Sequence, residues 1–442
     1  MRARALFALA GTAAATLAAP AALAAQEPGD VRIGITYTPG YLPGLVLTPV
    51  EASGGLDAVA RSAEEILRQD LDFSDRFEMI PVPGDLGTGT AVNYGLWNQL
   101  GAVWLVTGQV SGSAAAPVLR VSLHDVVFGQ LKEVRAFSLP GPGSSGFRMA
   151  VHRVADEVVR WATGQPGIAA TRVAFRRRTA DGASDIWMID SDGENLRRLT
   201  RDSSIVYSPA LSPGGDHLLY VSYVGGGPVV YEKNLETGAV RTISAEEGLN
   251  VTPVYSPDGS RILYARSIGD HTELFELQRQ PLCCGRRVTY TNVGETLNAS
   301  YSPDGRRIAI TSSPLGLPHI YVLPLDSREP SIVSRYVYGE RGYATSPDWS
   351  PTGDRIAYQA WIDGTFQVLT VNPDGSDRRV LTSRGSNEDP SWAPDGRHLV
   401  FASTGREGSG LLILDTVSGR VRWLTRGQTD QLPHWSRPLG GG

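Results

Sequence analysis

Cysteine, histidine and unbalanced charge are scarce in this chain. Its 442 residues hold two cysteines, the adjacent pair Cys283-Cys284. No Cys-x-x-Cys or Cys/His zinc spacing is present, so a structural zinc site and a dithiol redox motif are excluded. Neighbouring Cα atoms lie too close for relaxed disulfide geometry. The pair therefore reads as two loop thiols between strands, with a vicinal disulfide as the alternative in an oxidising compartment. The seven histidines form no His-Glu-x-x-His pattern, and the formal net charge of −5 offers no basic field to nucleic acid. No Gly-x-Ser-x-Gly occurs, and the glycine-rich stretches at 141–146 and 225–227 lack a P-loop lysine. An α/β-hydrolase nucleophile and a phosphate cradle are thereby excluded. Neither a catalytic nor a metal site is expected, and no cofactor.

Long apolar runs are missing beyond the first 25 residues, so no membrane-spanning helix is expected there. The start is different. Arg2 and Arg4 precede an Ala/Leu-rich run, and Ala22-Leu23-Ala24 offers small residues for cleavage. Residues 1–25 read as the secretory signal peptide of an exported protein. No cysteine stands near the cleavage site to carry a lipid.

A tight turn recurs through the rest. It reads Ser212-Pro213-Gly214-Gly215, Ser256-Pro257-Asp258-Gly259, Ser302-Pro303-Asp304-Gly305, Ser350-Pro351-Thr352-Gly353 and Ala393-Pro394-Asp395-Gly396, with a worn copy at Ser436-Arg437-Pro438. Successive copies start 43 to 48 residues apart, the period of a four-stranded propeller blade. Proline presets φ and glycine closes the turn, so Asp258, Asp304 and Asp395 read as turn residues and not as a constellation. An apolar strand precedes each turn, ending in Trp at Trp349, Trp392 and Trp435. Those tryptophans read as packing between blades.

A fourth strand ending in Leu-Thr or its like occurs six times, from Leu199-Thr200 to Leu424-Thr425. Six blades follow. Val173-Ala174-Phe175 has no inner strand before it, and Pro433–Ser436 has no second strand after it. Joining these leftovers closes the ring and removes a naked sheet edge.

Residues 26–167 lack the turn and mix periodicities. Val31–Ile35 and 45–50 read as strands. An amphipathic helix carries Leu56, Val59, Ala60, Ala63, Ile66, Leu67 and Leu71 on one face. Further strands fall at 77–80, 102–106, 118–127 and 131–137, with helices at 91–100 and from Phe147 to Trp161. The expected fold is thus an all-β six-bladed propeller over 168–442, preceded by a small α/β domain over 26–167, with Thr163–Gly167 as linker.

Chemistry is left to the loops that lead into the inner strands, because six of them crowd one face around the channel. They carry Tyr207-Ser208, Asn250-Val251-Thr252, Thr296-Leu297-Asn298, Tyr343-Ala344-Thr345, Asn387-Glu388-Asp389 and Asp430-Gln431. This mixture of amides, hydroxyls and acids suits polar recognition.

The composite of exported N-terminus, Val-Arg-Ile strand, α/β domain and Ser-Pro-Asp-Gly propeller resembles the TolB family of the bacterial Tol–Pal system. The resemblance implies a non-enzymatic periplasmic component that supports outer-membrane invagination at division and envelope integrity. It implies that the propeller binds the lipoprotein Pal, with Leu249, Asn250, Thr252, Thr296, Leu297, Asn298, Tyr343, Glu388 and Asp389 as candidates. It further implies that TolA is engaged by the N-terminal segment Asp30, Val31, Arg32, Ile33, Gly34, Ile35, Thr36, Tyr37 and Thr38, and that bacteriocins can use the same port. The alternative is an exported lactonase-like propeller enzyme or a carbohydrate-binding propeller.

Overall fold

Val59, Ala63, Leu67 and Leu71 repeat at helical spacing, and in the computed structural model all four are buried along one face of a helix. The structure describes residues 41–83, 92–179, 181–327, 329–335 and 342–439. The segment Asp30–Thr38 and the strand expected at Val31–Ile35 lie outside the described residues. The α/β part runs β1 (Gly44–Leu47), β2 (Glu51–Ala52), α1 (Asp57–Phe73), β3 (Glu78–Met79), α2 (Tyr94–Gln99), β4 (Ala102–Ser113), β5 (Ala116–Asp125), β6 (Gln130–Ser138) and α3 (Phe147–Thr163). The sheet order is β3-β1-β4-β5-β6, with β2 beside β4. Leu67 and Leu71 of α1 share one core with Val151 and Val158 of α3 and with Leu119 and Val121 of β5. Gly164, at φ 73°, ends α3 in the left-handed conformation that a side chain resists.

Beyond α3 stand six antiparallel four-stranded sheets. Their inner strands are Val206–Leu211, Asn250–Tyr255, Thr296–Tyr301, Ala344–Trp349, Ser386–Trp392 and Asp430–Trp435, here numbered blades 1 to 6. Blade 6 is the split one. Its inner strand pairs with Arg172–Arg178, placing Trp435 opposite Val173. Arg177 clamps Asp430 with two bonds of 2.7 and 2.8 Å, and the Trp435 indole donates to Thr171 Oγ1 at 2.7 Å. A side chain–side chain clamp and a buried indole bond thus join the two ends of the ring.

Two of the repeated turns share one construction. Ser256 Oγ donates to Asp258 and accepts the Arg261 N–H, and Ser302 does the same with Asp304 and Arg307. Gly353 has φ 83°, and a Cβ there would meet Pro303 of the preceding blade at 3.3 Å. Glycine is needed both for its backbone and for the ring-wise stacking of turn on turn.

Neighbouring blades are latched to one another in two ways. At four seams an inner-strand side chain accepts a backbone N–H of the next inner strand: Ser300 from Trp349, Asp348 from Trp392, Ser391 from Trp435, and His434 Nδ1 from Leu211. In blades 1 and 2 the equivalent residues are Ala210 and Val254, which cannot accept. At those two seams a tyrosine hydroxyl bonds a carboxylate of the preceding blade, Tyr255 to Glu232 and Tyr301 to Glu276, both at 2.7 Å. Burial beside these carboxylates pushes both tyrosine pKa values up.

Cys283 and Cys284 begin the outermost strand of blade 2 as a vicinal disulfide, not as the loop thiols expected from sequence. Cys284 takes φ 61°, so the chain accommodates the eight-membered ring by a left-handed residue at the strand's exposed edge.

Candidate functional site

Each inner strand begins with a bulge whose residue points its backbone into the channel. Ser208, Thr252, Asn298, Ser346, Asp389 and Leu432 occupy equivalent positions and all have φ between 46° and 54°. Proline follows in five of the six; blade 3 has Ala299 instead. The pairing register slips at each of these places. Six strained residues in one ring are held by the strands around them and shape a channel of about 470 Å³. Asp389 is its acidic member. Burial lifts its pKa to about 6, against the hydrogen bond it accepts from Ser346 Oγ at 3.0 Å. Asp348, deeper in the wall, is likewise lifted to about 6 by burial. Burial, with Arg437 nearby, lowers His434 to about 4, so the neutral ring accepts from Leu211.

The structure divides the residues expected from sequence. Thr252, Asn298 and Asp389 are bulge residues of the channel ring. Leu249 is exposed above them, Glu388 is partly exposed, and Leu297 is half-buried. Tyr343 is half-buried in an aromatic group with Phe366 and Trp361. Asn250 and Thr296 do not reach the surface. Asn250 is fully buried, accepts from Ser244 Oγ and donates to the Glu246 carbonyl at 2.6 Å, fastening the loop above it. Thr296 is bound to Ser312 Oγ and, through its N–H, to Thr272. Asn387 and Asp430 occupy the same buried position. The first residue of an inner strand turns back beneath its loop, so it organises the face and does not present it.

Apart from Leu249, the sequence reading missed an apolar group on this face. Ile205, Val224, Leu249, Val293, Leu315 and Leu317 are all exposed, Leu315 at 81%. They sit in the channel-side and outer loops of blades 1 to 3 on the same side of the ring. Exposed large apolar side chains gathered on one side of a face mark a contact surface. The signal was present only as single hydrophobic residues in otherwise polar loops.

The α/β domain docks on the opposite side, against the repeated turns of blades 5 and 6. Arg76 reaches Asp395 at 3.2 Å, Arg397 reaches the Asp75 carbonyl at 2.6 Å, and Arg153 donates to the Leu439 carbonyl at 2.9 Å. Asp395 is therefore more than a turn residue. The linker is held down too, for Asp156 of α3 accepts the N–H groups of Ala169 and Ala170. Two groups here bring three ligand atoms within 4.8 Å, Asp70/His152/Asp192 and Asp75/His398/Asp415. Arginines already occupy Asp192, Asp75 and Asp415, and each imidazole has acids within 3.4 Å of both nitrogens, so the geometry is that of an ion-pair network. Both histidines are fully buried, out of reach of any substrate.

The loop face, free of the α/β domain, and the docked turn face together define a two-domain α/β–propeller scaffold. Residues 33–131 match the TolB amino-terminal domain family, and residues 159–439 match the TolB beta propeller domain. The chain belongs to the TolB family of the Tol–Pal system. It is 34% identical to a Tol-Pal system protein TolB of Cereibacter sphaeroides over 54% of this chain and 55% of that one. It is 33% identical to the Anaeromyxobacter strain K protein of the same name, over 76% and 66% of the two chains. The matched part thus spans little more than half the length of the first of these. The crystal structure of TolB from Acinetobacter baumannii superimposes with a TM-score of 0.79, covering 90% of this chain and 98% of that one at 24% identity, which establishes the shared fold. No helix among the described residues is long and apolar enough to cross a membrane.

Proposed function

We propose that this chain is a periplasmic, non-enzymatic docking protein of the Tol–Pal system. The propeller's loop face takes the lipoprotein Pal, and the segment Asp30–Thr38 engages TolA by adding a strand. Such a protein supports outer-membrane invagination at division and the integrity of the envelope. The observation that supports this reading best is the loop face itself: apolar on blades 1 to 3, polar and acidic on blade 5, and turned away from the α/β domain. A rigid ring can present such a face to a folded partner with little rearrangement, and buried apolar anchors near its centre carry the energy. Backbone pairing suits the N-terminal segment, because an added strand draws affinity from main-chain hydrogen bonds.

The test is a pair of titrations with purified Pal and TolA. Substituting Leu249 and Leu315 is expected to weaken Pal alone, and removing Asp30–Thr38 to weaken TolA alone. Thr252 and Asn298 are poorer targets, since their positive φ couples any change to the backbone. If the unmodified chain binds neither partner, this reading fails and a carbohydrate- or lactone-directed propeller becomes the reading to pursue.

A further inference from the structure

Two fully buried histidines stand where the α/β domain meets the propeller, one contributed from each side. His398 of blade 5 has Nδ1 2.8 Å from Asp395 and Nε2 3.2 Å from Asp75 across the seam. His152 of α3 has Nδ1 2.7 Å from Asp70, while its Nε2 makes no hydrogen bond and lies 3.4 Å from Asp192 of the propeller, at ion-pair distance only. Ionised carboxylates only accept. His398, bonded at both nitrogens, satisfies its two acids only when both nitrogens carry protons, that is, as the cation, whereas His152 has one such bond and a second acid at ion-pair distance. A neutral ring turns a lone pair toward one carboxylate in a buried place.

Around His398 lie four carboxylates, Asp72, Asp75, Asp395 and Asp415. Three guanidiniums answer them: Arg76 on Asp395, Arg397 on Asp415, and Arg420 on Asp72 and Asp75. Arg422, buried against Phe73, adds a fourth guanidinium that faces Asp75, Asp192 and Asp70 and is shared between the two clusters, and the His398 ring is the group that lies directly between Asp395 and Asp75. Around His152 lie Asp70 and Asp192, with Asp190 and Asp156 farther out. Arg148 binds Asp192, Arg172 binds Asp190, and Arg422 stacks 4.1 Å over Phe73.

We propose that His152 and His398 are protonated clamps that fasten the α/β domain to the propeller, and that loss of these protons as pH rises loosens the seam while each domain keeps its own core.

The electrostatics run the same way. Burial works against each charged ring, yet the bond and charge of Asp70 for His152, and those of Asp395 with the Asp75 bond for His398, outweigh it, and both pKa values rise. Burial raises Asp70 as well, so that group holds its proton collectively. A histidine raised in the folded state contributes stability that is full below its unfolded value near 6.5 and is lost as pH climbs through the folded value. Asp156, lifted by burial to about 7, shifts in the same direction and fastens the linker.

The experiment follows amide exchange and histidine titration in the full chain from pH 6 to 9, with intrinsic exchange rates divided out. The amides of Arg397 and His398, which both donate to Asp395, report the seam together with Ser191, and Val400 reports the propeller core. Seam amides are expected to lose about tenfold protection or more relative to Val400, with both histidine resonances titrating above the free value. Equal protection at all pH values, or rings already neutral at pH 6, overturns the proposal. Asp75→Asn removes the acid across the seam from His398 and should lower that histidine's titration point and shrink the pH dependence. An unchanged titration of His398 in that variant also overturns it. If the variant does not fold, the wild-type titration and exchange alone decide.

Discussion

Asp348 in blade 4 accepts the backbone N–H of Trp392 in blade 5 at 2.7 Å. Its other oxygen receives Ser300 Oγ of blade 3 at 2.9 Å, and Ser300 in turn accepts the Trp349 N–H. One carboxylate therefore ties three successive blades. Asp348→Ala leaves the buried Trp392 N–H without its partner, and each unsatisfied buried donor costs about 1–3 kcal/mol. A loss of about 2–3 kcal/mol in denaturant unfolding is expected. A change under 0.5 kcal/mol would show that the latch adds nothing to the ring.

Asp415 is buried at the turn of blade 5 with Arg397 on its carboxylate. Burial alone would raise its pKa, but the bonds from Arg397 and Ser418 and the Arg397 charge win and hold it at about 2, below 3.8. The stability it contributes is present above the unfolded value and is lost as pH falls through about 2. Asp415→Asn is expected to destabilise the protein at pH 7 by about 2 kcal/mol. Unfolding curves of wild type and variant should converge in strong acid. A constant difference across that range would mean that the ion pair is not the source.

Closure of the ring depends on its last strand. Removing residues 430–442 takes away the partner of Arg172–Arg178, the Arg177–Asp430 clamp and the Trp435–Thr171 bond. The edge of Arg172–Arg178 is then exposed and blade 5 loses the Trp435 N–H held by Ser391, and an exposed edge recruits other chains. Gel filtration is expected to show loss of the monomer. A truncated chain that stays monomeric with an unchanged melting temperature would reject closure by the split blade.

The loop face is tested where its side chains carry no structural bond. Leu249→Asp with Leu315→Asp should leave stability within about 0.5 kcal/mol, as surface changes do. Pal affinity is expected to fall by about tenfold or more, equivalent to about 1.4 kcal/mol. Full Pal affinity in the double variant would move the contact surface elsewhere.

Much of the architecture could be read from the chain because its cause is local. Ser-Pro-Asp-Gly encodes a turn by the conformations its own residues prefer, and its recurrence counts blades without knowledge of any long-range contact. The same holds for α1 and α3, whose apolar positions repeat at helical spacing and do bury one face each. Residue roles were harder to read. Asn250, a residue the resemblance places on the Pal-binding face, is buried beneath its loop, as is Asn387 at the corresponding position of blade 5. Recurrence at one position of a repeat pointed to structure, and that was the available sign.

The sequence by itself determined the ring, its six blades, the split closure and the side on which the loops gather, because turn chemistry and strand alternation act within a few residues. Tertiary structure alone decided the rest. Asp395 is in sequence one turn aspartate among several; it becomes part of a charged seam only because His398 meets Asp75, 323 residues away in the chain. Ile205, Leu249 and Leu315 are scattered apolar residues until closure of the ring gathers them on one face. Burial and charge balance depend on what the fold brings alongside, and that partner is not written at the residue itself.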